Sequence, residues 1–137
     1  MPVKPVPLRV LVADDDRDSA NVLAALLRDD GHDVHIALRG DEVSEIDRLV
    51  RADVLVLDIN MPGMSGYAVA REIRRRRGPL APLLIAVSGS WKDKSDQRVA
   101  EELGFDHYLV KPCVTAELLA LITAFARRGR SEASGGK

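Results

Sequence analysis

The sequence predicts an α/β protein, a doubly wound (βα)5 unit around a five-stranded parallel sheet in the order 2-1-3-4-5. Five short apolar runs alternate along the chain with amphipathic helical patterns. Such alternation calls for a parallel sheet covered on both faces through right-handed crossovers. The runs VLVA, VLVL and LLIAV are unbroken, as strands buried on both faces should be, whereas Asp33, His35 and His107 interrupt the second and fifth. Strands 1, 3 and 4 therefore belong in the centre, with 2 and 5 at the edges. A chain of 137 residues suits one domain around one core.

The opening MPVKPVP carries Pro2, Pro5 and Pro7, which favour a flexible, extended arm over residues 1–7. LRVLVA (8–13) is the first strand, and a helix holding Val22, Leu23, Leu26 and Leu27 follows it and stops near Gly31. DVHIAL (33–38) leads to a second helix that pairs Val43, Ile46, Leu49 and Val50. After DVLVLDI (53–59), a third helix runs through Val69 and Ile73 to Gly78. PLLIAVSG (82–89) precedes a fourth, capped by Ser95 and carrying Val99 and Leu103 to Gly104. HYLVKP (107–112) is the last strand, and the fifth helix starts near Thr115 with Leu118, Leu119, Ile122 and Phe125. The folded domain is expected over 8–128, and the small, polar, glycine-rich end as a flexible tail over 129–137.

Twenty basic and 21 acidic residues leave a formal charge of −1. No global field exists to gather nucleic acid or an anionic membrane, so a charge-driven function must be local. Arg74 to Arg77 form a basic run that suits the C-terminal dipole of helix 3 and reads as solvated. It lacks the interleaved aromatics of a nucleic-acid site, so no direct nucleic-acid partner is expected. The single Cys113 cannot close an internal disulfide and reads as packing, and the three histidines lack metal-ligand spacing. No apolar stretch suits a signal peptide or a membrane span, so a cytoplasmic protein without membrane insertion is expected.

In the order 2-1-3-4-5, strands 1 and 3 diverge and open a crevice at their carboxyl ends. Asp14, Asp15 and Asp16 close strand 1, Asp58 closes strand 3, Ser88 closes strand 4 and Lys111 closes strand 5. One helix cap needs one carboxylate, and capping does not explain Asp58. The carboxylates of Asp14, Asp15 and Asp58 outnumber the Lys111 ammonium, and a divalent cation would neutralise the remainder. Oxygen ligands without a histidine or cysteine cluster favour a hard ion, Mg²⁺ first and Mn²⁺ as a substitute. Asp16 is the spare member, left to cap helix 1 or face solvent.

The runs VLVADDD, VLVLDINMPGMSG, AVSG and YLVKP, in this order, resemble the response-regulator receiver domain of two-component signalling, a CheY-like fold, over roughly residues 8–127. The resemblance implies that Asp58 is the phosphoacceptor, attacking a phosphohistidine on a sensor histidine kinase or a histidine phosphotransfer protein. It implies that Asp15 binds Mg²⁺ directly, that Asp14 acts mostly through water, and that Asn60 offers its backbone carbonyl. Lys111 would pair with a phosphoryl oxygen, aimed by a cis peptide at Pro112. Ser88 resembles the switch hydroxyl and Tyr108 the aromatic that turns inward behind it, with the small Gly89 leaving access to the phosphoryl site. Met61, Pro62, Gly63 and Gly66 match the turn after the phosphoacceptor, and Asn60 and Ser90 hold the positions that commonly tune dephosphorylation.

On this reading the chain is a stand-alone receiver that catalyses only its own phosphorylation and dephosphorylation, and its output is binding an unidentified protein. Trp91 lies where an indole would either meet such a partner or cover the fourth helix, and the run LLALITAF offers a homodimer surface on the 4-5 face. Two other functions compete. A small Mg²⁺-dependent phosphohydrolase, similar to the haloacid dehalogenase group, would use Asp14 as nucleophile and Asp16 as acid/base, but a further acidic pair and a cap domain are lacking. A pseudo-receiver would bind partners without phosphorylation, and the complete set Asp14, Asp15, Asp58, Ser88 and Lys111 argues against it. A dinucleotide role lacks its glycine-rich fingerprint after strand 1. A flavin phosphate at the same switch point would meet carboxylates.

Overall fold

The computed structural model describes residues 7–78, 82–88, 94–110 and 114–135, with backbone alone for 94–97, 114 and 129–135. Its elements are β1 (Arg9–Ala13), α1 (Arg17–Asp29), β2 (Asp33–Ala37), α2 (Gly40–Val50), β3 (Val54–Asp58), α3 (Gly66–Arg77), β4 (Leu83–Ser88), α4 (Lys94–Glu102), β5 (His107–Val110) and α5 (Val114–Gly135). The strands form one parallel sheet in the order β2-β1-β3-β4-β5, as the apolar runs imply. Every residue of β3 and β4 is buried, while Asp33 is exposed and His35 and His107 are only partly covered on the two edge strands.

Successive strand residues point to opposite faces, so each strand serves two cores. Val10, Val12, Val54, Val56, Ile85 and Val87 face Ala20, Ala24 and Leu27 of α1 and Leu118, Ile122 and Ala126 of α5. Leu11, Ala13, Leu55, Leu57, Leu84 and Ala86 face Val43 of α2, Val69, Ala70 and Ile73 of α3 and Ala100 of α4. These two layers place α1 and α5 on one side of the sheet and α2, α3 and α4 on the other.

Helix positions agree with the expected pattern better than helix faces do. Val22, Leu26, Leu49 and Val99, all assigned to buried stripes from sequence, are exposed. The buried stripe of α1 instead runs through Ala20, Ala24 and Leu27, with Leu23 partly covered. Small residues one turn apart let the helix approach the sheet closely, and this turns Val22 and Leu26 outward. Ser95 falls inside α4 instead of capping it, and its side chain lies outside the described residues. Helix α5 reaches Gly135, through the stretch read as a tail, where Glu132 and Ala133 are good helix formers.

The basic run of α3 is not a solvated face. Arg76 and Arg77 reach Asp47 of α2 at 3.0 and 2.9 Å, and Asp47 is fully buried. Asp47 also accepts the Ala52 N–H at 3.0 Å, and Arg77 donates to the Ala52 carbonyl. Arg74 turns the other way and donates to the carbonyls of Gly104 and Pro82 and to the Asp106 carboxylate. Burial lowers the Arg74 pKa, with Asp106 opposing the shift. These residues tie the end of α3 to α2 and to the turn before β5, on the side of the sheet away from the strand ends that carry Asp14 and Asp58.

Candidate functional site

Helix α1 follows β1 on one face of the sheet and α3 follows β3 on the other, so the carboxyl ends of these neighbouring strands border a crevice. Asp14 stands just past β1, and its N–H extends the pairing with β2 by donating to the Ala37 carbonyl at 3.0 Å. Asp58 is the last residue of β3. Both are buried, 8% and 7% exposed, whereas Asp15 faces solvent. One carboxylate oxygen from each of the three lies within 4.8 Å of the others.

The backbone orients two of these carboxylates. The Asp16 N–H donates to Asp14 Oδ1 at 3.0 Å, and the Asn60 N–H donates to Asp58 Oδ1 at 3.1 Å. Each is an Asx-type turn, in which the chain leaving the strand holds the side chain that ends it. Three ionised carboxylates this close repel, by about 4 kcal/mol for a pair at 4 Å and an effective dielectric of 20. Among the described residues no histidine or cysteine joins them. A hard-oxygen set with one solvent-facing member fits Mg²⁺ or Mn²⁺, which take one or two carboxylates and keep several waters.

Asp16 takes the capping role expected of the spare acid. It is the N-cap of α1 and accepts from the Asp18 N–H at 3.3 Å and from the Ser19 hydroxyl at 2.6 Å. Ser88 ends β4 and is 1% exposed, one position beyond Val87, the register partner of Asp58. Tyr108 is half-buried on β5 opposite Ala86 and packs on the α2-α3-α4 layer. Asn60 is exposed at the start of the loop to α3. Gly89, Ser90, Trp91, Lys111, Pro112 and Cys113 lie outside the described residues, so their expected roles rest on the sequence alone.

Beside the carboxylates, a cleft of about 390 Å³ runs between α1 and α5. Asp14 and Asp58 line it together with Asp18, Ser19, Val22, Leu23, Thr115 and Leu118. Asp18, Ser19 and Val22 were not singled out from sequence as site residues, although their place in the first turns after the acidic triplet was a usable signal. Asp47 was also missed. It stands four residues after Val43 on the inward stripe of α2, and an acid there, in a chain with a four-arginine run, signals a buried ion pair.

The fold recurs in solved receiver domains. A Francisella response regulator receiver domain is 26% identical, with a TM-score of 0.80 over 89% of this chain and 98% of its own. The BeF3-activated N-terminal receiver domain of Klebsiella pneumoniae RstA is also 26% identical, with a TM-score of 0.77 over 87% of this chain and 98% of its own. A CheY-like receiver domain protein from Methanospirillum hungatei shares the fold, with a TM-score of 0.82 at 23% identity over 93% of this chain and 99% of its own. The response regulator receiver domain model matches residues 10–123, from β1 into α5 and across all the strand ends that build the acidic crevice, and the chain belongs to that family.

Proposed function

We propose that this chain is the phosphoacceptor of a two-component or phosphorelay circuit in the cytoplasm, receiving a phosphoryl group on Asp58 from a sensor histidine kinase or a histidine phosphotransfer protein. The convergence of Asp14, Asp15 and Asp58 at adjoining strand ends, with their oxygens inside 4.8 Å, carries this reading. The family match over residues 10–123 supports it.

In this reading an Asp58 oxygen attacks phosphorus, the phosphorus–nitrogen bond to the donor histidine breaks, and its electron pair stays on the imidazole. Asp15 and Asp58 would hold Mg²⁺, with Asp14 and the Asn60 carbonyl as the further oxygen donors. Bound Mg²⁺ offsets the charge on the transferring phosphoryl group. The Asn60 N–H on Asp58 Oδ1 fixes the rotation of the nucleophile before the donor arrives. Exposed Val22, which lines the cleft, and exposed Leu26, one turn further along α1, give the phosphodonor an apolar strip on which to seat.

Lys111 then pairs with the phosphoryl group as a point charge, and Ser88 donates its hydroxyl to it. The half-buried Tyr108 follows, changing the surface around α4 and β5 that an output protein reads. The only reaction catalysed is the chain's own phosphorylation and dephosphorylation. Beryllofluoride with Mg²⁺ tests this account at equilibrium. The amide resonances of Ser88 and Tyr108 should shift in the wild type and stay fixed in Asp58→Asn. Equal shifts in both proteins would place the anion away from Asp58.

A further inference from the structure

Helix α2 begins at Gly40 behind Arg39, whose extended backbone occupies the cap position without a side-chain cap bond. A helix N-terminus leaves N–H groups without intrahelical partners, and a Ser, Thr, Asp or Asn cap ordinarily takes one of them. Here the Gly40 N–H donates instead to the carbonyl of Pro62, at 3.0 Å. Pro62 lies in the loop between Asp58 and α3, so the helix end is completed by the loop that leaves the phosphoacceptor.

The approach is close enough to exclude any side chain. A Cβ at Gly40 would fall on the Met64 carbonyl oxygen, 2.7 Å from the carbonyl carbon and 3.1 Å from Met64 Cα. Gly40 does not have positive φ, so its glycine answers a need for space and not for a special backbone conformation. The far side of the loop is also constrained, though less tightly. A Cβ at Gly66 would lie 2.8 Å from the Asp58 carbonyl oxygen, and the Gly66 N–H donates to the Ile59 carbonyl at 2.9 Å. Held between two helix starts, a displaced Met64 has little slack before the shift reaches Asn60 and the Asx turn on Asp58.

The geometry points to Gly40 as a positioning residue for the metal and phosphoryl site, acting through its contact with Pro62 and Met64 on the loop that carries Asn60. The inference rests on the phosphoacceptor reading above. Mg²⁺ titration by calorimetry tests it in the wild type, Gly40→Ala and Gly31→Ala. Gly31 is the control, because its φ of +97° makes alanine strained while an added Cβ meets nothing within 4 Å. Gly40→Ala should weaken Mg²⁺ binding by about 10–100-fold, the usual cost of disturbing groups that orient a metal site, while Gly31→Ala loses only thermal stability.

Equal Mg²⁺ affinity in the wild type and folded Gly40→Ala overturns the inference and leaves the phosphoacceptor reading intact. A wild type that ignores Mg²⁺ overturns both. Should Gly40→Ala fail to fold, amide exchange in the wild type decides. The Gly40 N–H must exchange more slowly when Mg²⁺ is added while the Gly31 N–H keeps its rate, and a Gly40 N–H indifferent to Mg²⁺ refutes the coupling.

Discussion

At the scale of single residues, Asp47 and Asp58 are both buried carboxylates with different tasks. Asp58 ends a strand at the crevice, beside Asp14 and Asp15, and accepts the Asn60 N–H. Asp47 lies between helices and meets two guanidinium groups and a backbone N–H. Removing one partner of a buried pair leaves the other charge uncompensated, so Asp47→Ala should lower stability by roughly 3–5 kcal/mol in urea unfolding. An unchanged urea midpoint would contradict that role. The acidic site was legible in the sequence because its members end two separate strands, β1 and β3, which the parallel topology must bring to one edge. For Asp47 the acid on the inward stripe of α2 was a legible signal but its partners were not, because they lie about thirty residues away on another helix and the arginine run resembles a solvated face.

His32 gives a pH prediction at the same scale. It is buried, and its Nδ1 accepts the Leu8 N–H at 3.0 Å, which requires the neutral ring with its proton on Nε2. Burial lowers its pKa below the ordinary 6.5, with Asp30 opposing the shift. The unfolded chain therefore binds the proton first as pH falls. Stability from this group is complete above 6.5 and is lost as pH drops below that value through the folded-state pKa. Thermal unfolding of the wild type should weaken over this window more steeply than that of His32→Gln. Parallel pH profiles would exclude His32 as the source.

At the scale of elements, the order of strands and helices follows from apolar periodicity, because central parallel strands must be apolar on both faces. Which helix face turns inward depends on how closely each helix approaches the sheet, and small residues such as Ala20 and Ala24 decide this. A hydrophobic pattern that counts large residues assigns Leu26 and Leu49 to the core and overlooks those alanines. The two kinds of leucine should separate cleanly on truncation. Leu27→Ala, at a fully buried site, should cost about 2–5 kcal/mol. Leu49→Ala, 83% exposed on α2, should stay within about 0.5 kcal/mol. Equal losses would mean that α2 buries Leu49 against a partner in solution.

At the scale of the whole molecule, the doubly wound topology separates two functions between the two ends of the sheet. The carboxyl ends of β1, β3 and β4 carry Asp14, Asp58 and Ser88, while the opposite side is tied by Arg74, Arg76 and Arg77 to neighbouring turns and helices. The repulsive acidic site thus stands on a frame whose stability comes from elsewhere. With a formal charge of only −1, the molecule has no global field for a cation, and the acid that would hold one is concentrated at this edge of the sheet. No helix among the described residues is long and apolar enough to cross a membrane.

The most direct test of the account is intact-mass spectrometry after incubation with acetyl phosphate, with and without Mg²⁺, on the wild type and Asp58→Asn. One phosphoryl group should be gained by the metal-loaded wild type alone. Phosphorylation that persists in Asp58→Asn, or a wild type that gains nothing with Mg²⁺ present, would contradict it.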